Sequence, residues 1–319
     1  MPYLMNYHVS FPGLGIENLE ISREVFNLNL FGRPITVYWY GLLFTLAMVL
    51  CIVIAMVRAR KFNFSRDDIL DYFLWMIPLI LVGSRLYYVA FEWDQFKDSP
   101  LSILDLRQGG LAFYGGVLGG MLAIAFAARI KRVKLHRIFD YFAVLIPLGQ
   151  GIGRWGNFFN QEAFGTNTSL PWGMISEGTA QGLAPLSPDP ANPLPGLNPA
   201  LPVHPTFLYE FVANMILFVI LLLVHRKQKR PWTTVLTYFF GYGLVRFFVE
   251  GIRTDSLVFT AFGQTMRVSQ LLSALMVLGS AAVFAVMQVK ARKRDRLMAE
   301  LEAPTGSVTE YTAPDPEDS

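Results

Sequence analysis

Apolar residues along this chain fall in long blocks separated by short polar breaks. Crossing a bilayer as a helix takes about 20 mostly apolar residues. Seven stretches reach that length, at about 37–57, 69–91, 110–130, 138–158, 206–225, 233–252 and 268–289. Ahead of the first, residues 25–37 read as two short extended runs around Phe31-Gly32-Arg33-Pro34, the pattern of a hairpin. Residues 161–203 hold eight prolines and are too polar and too broken to span. Loops of this length act as binding lids or have no fixed structure. The pattern predicts an all-α polytopic membrane protein with seven transmembrane helices and a small region outside the bilayer. Three parts follow: an outer-face segment over 1–36, the seven-helix domain over 37–290, and an acidic tail over 291–319 expected to be disordered.

Basic residues set the orientation. Four lie at 58–66, five at 129–137, four at 226–230 and five at 290–296, which is 18 of the chain's 27, on alternate connections. From Trp155 to His225 there is no Lys or Arg. Cytoplasmic loops carry such an excess, so the N-terminus is expected outside and the C-terminus in the cytoplasm. The N-terminus lacks a basic segment followed by a short apolar core, so no cleaved leader is expected.

Composition narrows the chemistry. With 53% apolar and 16% charged residues and a mean hydropathy of +0.39, the chain is neither disordered nor an ordinary soluble domain, which has roughly 25% charged residues. The charge is only +3, and the basic clusters belong to membrane loops, which argues against nucleic acid as a partner. Cys51 is the only cysteine, so neither a disulfide within the chain nor a thiolate cage is available. His8, His136, His204 and His225 stand far apart, and no metal-binding motif appears.

Ionisable residues inside the bilayer need a reason, since each costs roughly 2.5–3.5 kcal/mol on insertion scales. Arg85 lies in the second stretch and Arg154 near the end of the fourth. Arg246, Glu250 and Arg253 share one face of the sixth by i, i+4, i+7 spacing, and Asn157 shares the face of Arg154. Arg246 and Glu250 could simply neutralise each other and hold helices together. The apparent surplus of arginines over acids points instead to an anionic ligand, since guanidinium forks bind phosphate oxygens in pairs. Residues 109–120 hold six glycines, which serve tight helix packing and would also admit a lipid chain or a peptide beside the backbone, near the Tyr114 hydroxyl.

Several runs together are specific. Gly-Arg-Trp-Gly-Asn-Phe-Phe-Asn-Gln-Glu-Ala-Phe-Gly (153–165) resembles the signature of the bacterial prolipoprotein diacylglyceryl transferases. Trp39-Tyr40-Gly41, the glycine run at 109–116, His-Pro-Thr-Phe-Leu-Tyr-Glu (204–210) and the run at 241–253 resemble the same family, in the same order.

The resemblance implies transfer of a diacylglyceryl group from phosphatidylglycerol to the lipobox cysteine of a prolipoprotein signal peptide. The implied products are a thioether and glycerol phosphate, in the bacterial inner membrane, with no cofactor and no metal. It implies catalytic roles among Arg246, Glu250, Tyr114, His204 and Glu162, and substrate binding by Arg154, Asn157, Tyr40, Gly165 and Arg253. Leaving-group charge calls for Arg154 and Arg246, with Glu250 orienting Arg246. The thiol's proton acceptor stays open among Tyr114, His204 and Glu162. Many members carry histidine where this chain has Tyr114, so a divergent paralogue with another acceptor or without catalysis is an alternative. A lipid or anion transporter is another, although no repeat between the halves is evident.

Overall fold

The computed structural model describes residues 6–30, 33–97, 99–105, 109–187, 189, 194–261 and 264–302. In chain order the helices are α1 (Trp39–Ala59), α2 (Arg66–Phe91), α3 (Phe113–Ile130), α4 (Leu135–Ala143), α5 (Ile146–Asn160), α6 (Glu177–Leu183), α7 (Thr206–Lys227), α8 (Thr233–Ile252) and α9 (Val268–Glu302). Five of these, α1, α2, α7, α8 and α9, are long and apolar enough to cross a membrane, and α3 is a shorter apolar helix. Phe44, Val57, Leu74, Phe248 and Leu278 are exposed on them, an arrangement suited to hydrocarbon rather than water.

The single helix expected over 138–158 is two. α4 ends at Ala143 and α5 begins at Ile146 with Pro147 in its first turn. Proline has no N–H to donate, and its ring crowds the carbonyl four residues earlier, here that of Ala143. The break leaves Asp140 on α4 fully buried, where it accepts the Trp232 and Val235 backbone N–H groups at 2.8 and 3.0 Å. These are the otherwise unpaired donors at the start of α8.

The region outside the long helices is more structured than the pattern suggested. The hairpin expected over 25–37 is present as β3 (Glu24–Leu30) against β4 (Arg33–Tyr38), preceded by β1 (Asn6–Phe11) and β2 (Ile16–Ser22). β5 (Ile175–Ser176) and α6 lie within the Pro-rich stretch, and β5 completes a three-stranded antiparallel sheet in the order β2-β1-β5. A third pair, β6 (Val258–Ala261) and β7 (Gln264–Arg267), joins α8 to α9. The fold is therefore helical in its spans but not all-α. β1 buries only Tyr7 and Val9, and β5 is two residues long, so neither rises above its surroundings in sequence. The sheet joins the helices through a core of Tyr7, Val9, Phe158, Phe164, Met174 and Phe207. α9 continues through 291–302, part of the expected tail, and residues 303–319 lie outside the described residues.

The glycine run serves α2 and α3, which pack backbone to backbone. A Cβ at Gly115 or Gly119 would overlap the carbonyl of Gly83 or Leu79. The space beside these glycines is filled by α2, not left for a lipid chain or a peptide. Arg85 is spent here too. Its guanidinium donates to five backbone carbonyls, those of Ser102, Ile103, Asp105, Gly109 and Gly110, at 2.7–3.0 Å. Arg85 pins the connection between α2 and α3.

Arg85→Met should therefore leave several carbonyls unpaired at roughly 1–3 kcal/mol each. We expect a clear fall in the thermal midpoint of the detergent-solubilised protein and new protease cleavage within 99–110. An unchanged midpoint in Arg85→Met would show that the clamp does not contribute to stability.

Candidate functional site

Three helices meet at one buried carboxylate. Glu210 lies early in α7 and is the one carboxylate between Thr206 and His225. Arg154 of α5 brings Nε to 2.6 Å from its Oε2, and Arg246 of α8 donates Nη1 to its Oε1 at 3.0 Å. Arg253, just past α8, places Nη1 4.0 Å from the same Oε1. One helical turn along α8, Glu250 approaches Arg246 Nη2 at 2.5 Å, as the i, i+4 spacing requires. Arg253 is held in a fork by Asp255, at 2.8 and 2.7 Å. Burial opposes ionisation of Asp255, yet the Arg253 hydrogen bonds hold its carboxyl below the usual range.

Charge counting from sequence missed two of these acids. Glu210 and Asp255 join Glu250 to match Arg154, Arg246 and Arg253 one for one, so no cationic surplus demands a ligand. What remains is an asymmetry of burial. The Glu210 and Glu250 side chains are each 2% exposed, whereas Arg154, Arg246 and Arg253 are 21, 15 and 12% exposed. Glu210 and Glu250 stand behind and the guanidinium groups in front, while Asp255, which holds Arg253, is 49% exposed.

Three distant runs are laced together beside this cluster. Gly165 N–H donates to the His204 carbonyl at 2.9 Å, and His204 N–H to the Thr166 carbonyl at 3.0 Å. Thr166 N–H donates to the Ile252 carbonyl at 2.8 Å, and Gly165 bridges Arg253. A Cβ at Gly165 would sit 2.8 Å from that of His204, which is why glycine is needed there. The turn leading in is strained, with Gln161 and Ala163 at φ of 53 and 58°.

Comparison with known proteins matches the chain to the family model described as prolipoprotein diacylglyceryl transferase over residues 28–286. The chain belongs to the prolipoprotein diacylglyceryl transferase family. Proteins named phosphatidylglycerol–prolipoprotein diacylglyceryl transferase are among its relatives. That of Finegoldia magna is 38% identical over 82% of this chain and 93% of its own length. That of Enterococcus faecalis is 39% identical over 81 and 88%, and that of Clostridioides difficile 36% over 81 and 92%.

The residues picked out for their likeness to the diacylglyceryl transferases divide into three groups. Arg154, Asn157, Glu162, Arg246, Glu250 and Arg253 form one linked set. Arg154 Nη1 donates to Asn157 Oδ1 at 3.3 Å, and Asn157 Nδ2 donates to Glu162 Oε1 at 3.0 Å. Gly165 and His204 belong to the adjoining laced segments. Trp172 Nε1 donates to the Tyr209 hydroxyl at 2.8 Å, and that hydroxyl shares a hydrogen bond with His204 Nδ1 at 3.0 Å. Burial lowers the His204 pKa and so favours the neutral imidazole. Tyr40, 49% exposed, sits at the start of α1 with its ring over Gly156 of α5, where a Cβ would overlap it. Tyr114, 41% exposed, is on α3, whose main packing partner is α2, with its ring 6.5 Å from that of Tyr87. Glu210 was missed as a site residue although it closes the 204–210 run. An acid alone in an apolar helix was the signal available.

Removing one partner from a buried ion pair costs about 3–5 kcal/mol, because the other charge is left uncompensated. Glu210→Gln should therefore destabilise the protein more than Glu250→Gln, since Arg246 retains Glu210 when Glu250 is lost. In the Glu210→Gln/Arg246→Gln double variant the losses should fall short of additive. Thermal unfolding in detergent measures both, and equal effects of the two single variants would contradict the hub assignment.

Proposed function

We propose that this chain transfers the diacylglyceryl group of phosphatidylglycerol to the lipobox cysteine thiol of a prolipoprotein. Family membership supports the reaction class. The observation that carries the site is the row of partly exposed guanidinium groups, Arg154, Arg246 and Arg253, with Glu210 and Glu250 buried behind Arg154 and Arg246. Such a row offers a lipid phosphate paired N–H donors, already held in place.

In the proposed step a thiolate sulfur attacks the glycerol carbon that bears the phosphate ester. The C–S bond forms, the C–O bond breaks, and its electron pair leaves with glycerol phosphate. Arg154 and Arg246 stabilise that anion, while Glu210 and Glu250 orient them. The thiol, with an ordinary pKa of about 8.5, needs an acceptor for its proton. Glu162 is joined to Arg154 through Asn157, and His204 is an imidazole beside Gly165, so these two are the acceptors nearest the cluster in the bonding network. Tyr114 acts in positioning. Lowering a phenol from about 10 to near 7 takes roughly 4 kcal/mol, at about 1.36 kcal/mol per unit.

The proposed setting is the bacterial inner membrane, crossed seven times with the N-terminus outside. The five long helices, α3 and the broken pair α4–α5 make the seven crossings. The 18 residues of α3 span about 27 Å, close to a hydrocarbon core of about 30 Å.

A transfer assay with phosphatidylglycerol and a lipobox peptide tests the reaction, read as a mass gain on the cysteine. No gain with correctly inserted protein would leave a transporter or a non-catalytic lipid-binding protein. Arg154→Lys keeps the charge but loses the planar fork, so its rate should fall steeply, and near-normal turnover would exclude paired phosphate binding. Tyr114→Phe should keep measurable activity, reduced by about two orders of magnitude at most. Complete loss in a folded Tyr114→Phe variant, with a shifted pH optimum in Tyr114→His, would make Tyr114 the base. Reporters fused at Asn192 and Asp315 should be labelled from opposite sides of the membrane.

A further inference from the structure

Two cavities lie at the opposite end of α7 and α8 from the arginine cluster. His225, which lines the first, follows Glu210 by 15 positions in α7, so about 22 Å of helix separates them. The first cavity, about 240 Å³, takes Phe62, Phe64, Arg137, His225, Lys229 and Arg230 among its walls and includes no carboxylate. It is smaller than the roughly 300–1,000 Å³ typical of drug-sized ligands and suits a headgroup.

Arg137 and Arg230 are held in place without being neutralised. Arg137 lies 5.5 Å over the Phe64 ring and donates Nη2 to the Phe62 carbonyl at 3.0 Å. Arg58, one contact behind the wall, lies 5.1 Å over the Phe62 ring, with Nη2 2.7 Å from His225 Nδ1. A guanidinium only donates, so Nδ1 accepts and the His225 proton is on Nε2. Arg58 Nη1 is buried with no hydrogen-bond partner among the described residues. Arg230 meets the neutral Gln288 at 2.8 Å, and Lys229 has no ion-pair partner among the described residues. The neighbouring acids are engaged elsewhere. Asp140 accepts the α8 backbone donors, and Asp68 and Asp71 hold Lys131 at 2.6 and 2.7 Å.

The second cavity, about 260 Å³, shares Lys229 and Arg230 but is otherwise walled by Thr233, Phe284, Met287 and Gln288. An apolar slot against α9 thus adjoins a cationic pocket, which is the pattern of an amphiphile.

We propose that Arg137, Lys229 and Arg230 form a binding site for a phosphate ester, separate from the transfer site, with the Phe284–Met287 slot taking the apolar chain of an anionic phospholipid. A soluble phosphate ester would use the same cations but not the slot. The site stands independently of the proposed reaction.

The test uses the purified full-length protein in phosphatidylcholine nanodiscs titrated with phosphatidylglycerol, with retained lipid counted by native mass spectrometry. Lys229→Gln/Arg230→Gln is compared with Lys293→Gln/Arg294→Gln, which removes equal charge from exposed positions on α9. Lipid bound at the arginine cluster is common to both. The first variant should bind one phosphatidylglycerol roughly 30-fold more weakly, as expected where hydrogen bonds to a charged phosphate are lost, and the control, whose positions do not line the pocket, should match wild type. The exchanged variant Lys229→Arg/Arg230→Lys should retain the lipid. A parallel titration with inorganic phosphate, followed by ³¹P line width, identifies the soluble source if phosphate binding alone is lost in the Gln variant. Equal lipid and phosphate binding by the Gln variant and the control would overturn the site. Loss in the exchanged variant as well would overturn it by showing a packing effect.

Discussion

A carboxylate buried where water cannot reach it must be compensated, and Glu210 brings three segments of the chain together in being so. Its oxygens face Arg154 of α5 and Arg246 of α8, with Arg253 at 4.0 Å. Stripping several ions of water carries a penalty of several kcal/mol per ion, which their mutual attraction offsets only in good geometry. Any shift of α5 or α8 against α7 would leave one of these charges alone. The cluster therefore fixes the helices as firmly as the apolar contacts do, and holds its guanidinium groups in one arrangement before any substrate arrives. In the proposed transfer, such fixed donors would need little reorganisation as charge develops on the departing phosphate.

The segments outside the long helices serve the same end. Residues 164–166 run between His204 and Ile252, and their backbone hydrogen bonds tie the ends of α5, α7 and α8 into one piece. The small sheet rests on this piece through Phe158, Phe164 and Phe207. The described part of the Pro-rich stretch is thus held near the site by backbone pairing together with the buried Phe164, Met174, Leu183 and Val203. The strained φ values at Gln161 and Ala163 lie in the turn that carries Glu162.

Arginine does different work at different places in this molecule. Arg85 is consumed by five carbonyls and has little left to offer a ligand. Arg154 and Arg246 are paired from behind and open in front. Arg137 and Arg58 are steadied by aromatic faces, which hold a guanidinium without cancelling its charge. Residue type alone does not separate these cases; the partners do.

Apolar block length and the placement of lysine and arginine are local properties, so the sequence determined the long helices and the β3–β4 hairpin. The motif runs likewise carried Arg154, Asn157, Glu162, Arg246, Glu250 and Gly165, and the i, i+4 spacing alone was enough to pair Arg246 with Glu250. Contacts between distant segments were not legible in this way. The break between α4 and α5 follows from Pro147, yet Pro78 sits inside an unbroken α2, so a proline by itself did not decide it. Glu210 could be assigned to the arginines only once α7 and α8 were brought beside α5, whereas Asp255 lies two positions after Arg253. That assembly turned an apparent excess of positive charge into a balanced network. Tertiary structure decided it because an ion pair depends on distances of a few ångströms between residues that the chain places up to 56 positions apart.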